Sequence, residues 1–126
     1  MSRESHVFVY GTLRRGEVND ITRLRPAPRF VGDAHVAGLL YDLGPYPGLR
    51  LGGSGRVQGE VYAITTALER QLDVIEEVAP VPSGEYTRQQ IDVVVAGQVL
   101  NCLVYEIAAE RVRGRALLPG GDWLKR

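Results

Sequence analysis

Two runs of strand-forming residues, Tyr86 to Val95 and Gln98 to Ile107, are separated only by Ala96-Gly97. A two-residue link ending in glycine specifies a tight β-hairpin, because the turns whose hand matches the strand twist need positive φ. The chain must therefore build an antiparallel sheet, and the other segments say what joins it. HVFVY at 6 to 10 is apolar on both faces and is stopped at once by Gly11, which predicts a central strand leading into a tight loop, YGTLRRG. Residues 31 to 43 and 57 to 64 read as two further strands. Thr66 to Val78 reads as the one main helix: Leu68, Leu72 and Ile75 recur at helical spacing, Thr66 with Glu69 fits a capping box, and Pro80 and Pro82 end it. Residues 19 to 29 carry two prolines and predict at most a short helical turn. LGPYPGLRLGGSGR at 43 to 56 is dense in glycine and proline and predicts a loop. The order strand, strand, strand, helix, strand, strand does not alternate. It predicts an α+β domain, a mixed barrel-like sheet with one main helix packed against it, rather than a doubly wound fold.

The chain has 126 residues, 44% of them hydrophobic, and no repeat or linker, which suits one domain over residues 1–126 that buries roughly two-thirds of its unfolded surface. Cys102 is alone and excludes an internal disulfide, and with only His6 and His35 beside it no zinc site is expected. No window reaches the ~20 uncharged apolar residues of a membrane span, and MSRESHVF is too polar for a secretory signal, so a cytoplasmic protein with no membrane partner is expected. Fifteen basic side chains balance 15 acidic ones, and they segregate. Residues 1 to 30 hold six arginines against three acids, residues 60 to 92 hold seven acids against two arginines, and residues 111 to 126 hold five bases against one acid. An acidic middle between basic ends suits internal ion pairing better than a nucleic-acid footprint, so no nucleic-acid partner is expected.

A glycine straight after a buried strand lets successive backbone N–H groups turn toward one point. Tyr10-Gly11-Thr12-Leu13 can thus form a nest for a carboxylate or an oxyanion, although an ordinary turn with Gly11 at positive φ would use the same residues. Arg14 and Arg15 read as solvated. On the helix, Glu76 falls about 40° from Leu72 and borders the apolar stripe, while Glu77 points toward water. Partial desolvation and the like charge of Asp73 at i−3 should raise the Glu76 pKa toward the range of a general acid or base. Carboxylates near a helix C-terminus meet the negative end of the dipole, so these acids do not serve helix stability; a plain solvated face is the alternative. Tyr86 and Arg88 share a strand face at i, i+2, with Glu85 turned the other way. Tyr62 and Tyr105 read as packing residues, and Cys102, alternating with Leu100 and Val104, as a buried inert thiol.

Together with YPGL at 46 to 49, GEVY at 59 to 62, LDxxE at 72 to 76, EYTR at 85 to 88, VYE at 104 to 106 and GDWL at 121 to 124, the opening VFVYGTLRRG at 7 to 16 resembles the gamma-glutamylcyclotransferase-like family, which includes gamma-glutamylamine cyclotransferases and AIG2-like proteins. The resemblance implies a pocket for a gamma-glutamyl group, gripped by Tyr10, Gly11, Thr12 and Leu13 with Tyr86 as a further substrate-binding residue, and Glu76 as the catalytic base. It implies a cofactor-independent cyclisation in which the substrate's own α-amine attacks the γ-carbonyl, releasing 5-oxoproline and a free amine. The expected partner is a small gamma-glutamyl substrate. One departure is evident: the family often has glycine after the catalytic acid, where this chain has Glu77. The leaving amine depends on residues near 41 to 55 and 78 to 84, which carry no readable code, and oligomeric state is equally unreadable. A catalytically silent binder of a gamma-glutamyl or pyrrolidone metabolite is the alternative reading.

Overall fold

The computed structural model describes residues 4–77 and 83–126. Six strands form one sheet: β1 (Ser5–Val9), β2 (Arg29–Asp42), β3 (Pro47–Ile64), β4 (Tyr86–Val95), β5 (Gln98–Ile107) and β6 (Ala116–Leu117), in the order β4-β5-β1-β3-β2-β6. The α-helix α1 (Thr66–Ile75) lies between β3 and β4 in the chain. All paired strands run antiparallel except β1 and β5, which meet in parallel at Val7 and Leu103. The sheet curls into a half-barrel. Three strands separate β2 from β4 in sheet order, yet a side chain at Gly32 of β2 would stand 2.8 Å from Val95 of β4.

The apolar character of β1 on both faces follows from its central place. Successive side chains of a strand point to opposite faces: Val7 and Val9 pack with Leu68 and Leu72 of α1, while Phe8 and Tyr10 pack with Leu49, Val57, Val104 and Trp123 on the other side. Buried Cys102 belongs to the second group, and burial pushes its thiol up to about 11, as an inert cysteine requires.

The β4–β5 hairpin has the expected bounds, with Ala96 and Gly97 at φ 51° and 79°, the positive pair that the tight turn demands. Elsewhere the boundaries differ for identifiable reasons. The segment 43–56 is not a loop. From Pro47 it is strand, paired with β2 from Asp42↔Pro47 to Gly38↔Leu51; residues 52 to 55 then leave the register and pairing resumes at Ala37↔Arg56. Gly52 and Gly53, at φ 96° and 83°, permit that excursion, so the glycines mark a bulge within a long strand. The helix cap is Thr65, whose Oγ1 accepts the Leu68 N–H at 3.2 Å, and Glu69 reaches Arg88 at 2.7 Å, so there is no capping box at Thr66. The helix ends at Ile75, short of the expected Val78, and the expected terminators Pro80 and Pro82 lie outside the described residues.

Candidate active site

The chain leaves β1 through Tyr10, whose hydroxyl donates to the Tyr105 carbonyl at 2.7 Å and accepts the Leu49 N–H at 3.3 Å. That hydroxyl is thus spent as a pin between β5 and β3, while the residue also lines the cavity described below. Next comes Gly11, where a Cβ would stand 2.7 Å from the Pro47 ring. In the loop that follows, the carbonyls of Gly11, Thr12 and Leu13 accept the N–H groups of Arg14, Asn19 and Ile21 at 3.0, 2.9 and 2.9 Å. Their own N–H groups donate to no acceptor among the described residues. Buried amide donors are rarely left unpaired, and consecutive open donors form an anion-binding concavity.

Buried charge holds this loop in shape. Arg14 is not solvated: its Nε meets Glu60 Oε2 at 2.9 Å and its Nη1 meets Asp122 Oδ1 at 2.9 Å. Glu60 Oε1 also accepts the Arg15 N–H at 3.1 Å and the Tyr62 hydroxyl at 2.8 Å. Asp122 in turn caps the short turn of Trp123, whose indole donates to Glu17 at 2.8 Å. The GEVY and GDWL stretches therefore both brace the loop through Arg14.

The loop forms one wall of a cavity of about 280 Å³, and Tyr10, Gly11, Thr12, Leu13, Glu76 and Tyr86 all line it. Glu76 is the C-terminal cap residue of α1, half-buried, and its carboxyl has no hydrogen-bond or ion-pair partner among the described residues. Burial, then the nearby charges of Glu85 and Glu77, push its pKa up to about 7. The rise matches the sequence expectation, but its electrostatic source differs. Asp73 does not repel Glu76 freely, because its carboxylate accepts the Tyr105 hydroxyl and an Arg88 N–H, both at 2.7 Å.

Glu85 corrects a second expectation. It precedes β4 and is not bound by that strand's alternation, so it lines the cavity and accepts the Tyr46 hydroxyl. Tyr86 is buried and donates to the Pro47 carbonyl at 2.9 Å. Glu77 is exposed at the cavity rim with φ 57°, the left-handed position that closes helices and favours glycine. Tyr46, Glu85 and Tyr105 were missed as wall residues; the YPGL, EYTR and VYE stretches contain them and were the available signal. The cavity thus offers open amide donors for an anion and a carboxyl that exchanges its proton near neutral pH. Among the described residues no lysine, arginine or histidine lines it.

A family model described as gamma-glutamyl cyclotransferase, AIG2-like, matches residues 7–125. The chain belongs to this cyclotransferase family. The Escherichia coli K12 gamma-glutamylcyclotransferase family protein YtfP is 36% identical over 121 residues, 95% of this chain and 96% of the relative. The crystal structure of an AIG2-like protein from Mus musculus superposes with a TM-score of 0.72 at 32% identity, over 84% of this chain and 78% of that one. A more local match, 40% identical over 73 residues, covers 57% of this chain and 46% of the gamma-L-glutamyl-butirosin B gamma-glutamyl cyclotransferase of Niallia circulans. The curled mixed sheet with one main helix is thus the architecture of the AIG2-like cyclotransferase family. No helix among the described residues is long and apolar enough to cross a membrane.

Proposed function

We propose that this chain is a gamma-glutamyl cyclotransferase that releases 5-oxoproline and a free amine from a small gamma-glutamyl amide, with Glu76 moving the proton. The single observation that carries the reading is the Glu76 carboxyl, without a partner among the described residues and held at a pKa of about 7 on the same cavity as N–H groups of Gly11, Thr12 and Leu13 that meet no acceptor among those residues. The cyclotransferase names of the relatives support it.

The substrate's α-amine attacks its own γ-carbonyl carbon, forming the ring C–N bond, and the bond to the leaving amine then breaks. Both reacting groups belong to one molecule, so orientation supplies much of the rate. An α-ammonium has a pKa of roughly 8 and must lose a proton before it attacks. Glu76 accepts that proton and returns it to the departing nitrogen, which needs a carboxyl that both binds and releases a proton near neutrality. The amide donors of the loop bind the α-carboxylate or the developing oxyanion, a contact of the kind worth about 3 kcal/mol in the barrier. Tyr10 and Tyr86 wall the glutamyl unit.

The test is incubation of the purified protein with a panel of gamma-glutamyl amines and mass-spectrometric measurement of 5-oxoproline. Glu76→Gln lowers kcat by about 100-fold or more, the range of general acid–base catalysis, and Glu77→Gln does far less. Thermal stabilisation by 5-oxoproline without amine release from any substrate would make the chain a silent binder.

A further inference from the structure

Asp73 stands one helical turn before Glu76. Its Oδ1 accepts the Tyr105 hydroxyl at 2.7 Å, its Oδ2 accepts an Arg88 N–H at 2.7 Å, and the residue is only 8% exposed. Arg88 reaches back one turn further to Glu69, also at 2.7 Å. The Tyr105 carbonyl accepts the Tyr10 hydroxyl at 2.7 Å. One chain of contacts therefore runs Arg88–Asp73–Tyr105–Tyr10, and joins the helical turn before Glu76 to the strand end that opens the amide cradle.

Docking a helix on a sheet does not require such a chain. Leu68 and Leu72 are already fully buried, and a buried carboxylate pays a desolvation penalty that an apolar residue of similar volume avoids. Its place in the C-terminal half of the helix is also the wrong one for the dipole. Side chains at i and i+3 stand about 5–6 Å apart at Cβ, so an unpaired charge at Asp73 would act on Glu76 at short range.

Resting on the reading of Glu76 as the proton-transfer group, we propose that Asp73, Arg88 and Tyr105 are a positioning unit for that acid: they fix its helical turn relative to the amide cradle, and Arg88 cancels the one nearby charge that belongs to the brace itself. Among the described residues that line the cavity with Glu76, the other charged groups are Glu77 in the following turn and Glu85 before β4, and the hydroxyls of Tyr10, Tyr46, Tyr86 and Tyr105 complete the titratable set. Burial apart, Glu85 and Glu77 are the charges that push Glu76 upward.

The test is NMR titration of the Glu76 carboxyl carbon in the intact chain, which reads the group whether or not substrate turns over. Arg88→Gln, which strips the cation from Asp73, moves the Glu76 titration up by about half a pH unit or more. Asp73→Asn removes the anion, leaves the cation, and moves it down. The double variant returns it close to the starting value. Should Arg88→Gln fail to fold, Asp73→Asn, which keeps the side-chain volume and an acceptor for Tyr105, decides alone. Lowered Tm with an unmoved Glu76 titration makes the trio a structural brace only and overturns the proposal. Absence of 5-oxoproline from the unaltered protein would defeat the cyclotransferase reading and leave these titrations to stand or fall separately.

Discussion

Arg14 Nε lies 2.9 Å from Glu60 Oε2, and each side chain is only 7% exposed. The pair ties the loop after β1 to the C-terminal part of β3, and the second bond from Arg14 to Asp122 brings in the C-terminal turn. Removing one partner of such a pair leaves charge buried without compensation, which costs more than the pair itself contributes. Arg14→Met should lower stability by about 3–5 kcal/mol. Arg29→Met, whose exposed pair with Glu4 is worth about 0–1 kcal/mol, is the control. Urea unfolding of the two variants side by side checks the contrast, and equal losses would refute the assignment of Arg14 as the clamp.

The raised pKa of Glu76 makes stability depend on pH with a definite sign. Its value is about 7 in the folded chain against 4.5 ordinarily, so between those values the native state binds the extra proton. Stability contributed by this group is present below about pH 4.5 and declines as pH rises toward 7. Glu76→Gln should therefore be more stable than the parent at pH 8, by about 1–3 kcal/mol, and no different at pH 4. Denaturant unfolding at the two pH values measures the difference; a gain of equal size at both would mean that the effect is not ionisation.

For turnover the same ionisation has the opposite consequence. The base must be unprotonated in the free enzyme, so kcat/KM for a gamma-glutamyl amide should climb through pH about 7. In Glu76→Gln the limb should vanish together with most of the rate. A limb that persisted in the variant would belong to another group.

Glu77 occupies a backbone conformation, φ 57°, that costs a residue with a Cβ roughly 1 kcal/mol. Glu77→Gly should raise stability by about that amount, and by removing one of the charges that press on Glu76 it should move the acid limb of kcat/KM downward. Thermal unfolding and the pH profile of the one variant report both effects.

Gly59, in the GEVY stretch, has no room for a side chain: a Cβ there would meet the Val9 carbonyl and the Phe8 ring. Gly59→Ala should cost about 2 kcal/mol or more and displace the end of β1, where the amide cradle begins. Calorimetry and the KM for substrate should change together.

Local pattern made part of this molecule legible. The β4–β5 hairpin was readable to the residue because a two-residue turn fixes register by itself, and the helical phase of Glu76 against Leu72 placed that acid on the cavity side. What escaped depended on partners distant in sequence. The first half of β3 reads as a loop until β2 is laid beside it, because its glycines break the period without ending the strand. Arg14 reads as solvated because the residues that bury it lie 46 and 108 positions away. Strand alternation puts Glu85 on the wrong side because it is extended one residue past the point where the strand begins, and Asp73 reads as a free like charge beside Glu76 because the groups that hold it, Arg88 of β4 and Tyr105 of β5, lie 15 and 32 positions away.

β1 has no sheet neighbour within its own vicinity of the chain. β1 pairs with β3 near residue 62 and with β5 at residue 103, so one edge of this strongly apolar strand finds its partner roughly 55 positions along the chain and the other roughly 95. Contacts so remote in sequence slow folding, and a stretch such as HVFVY kept waiting is open to pairing with another nascent copy.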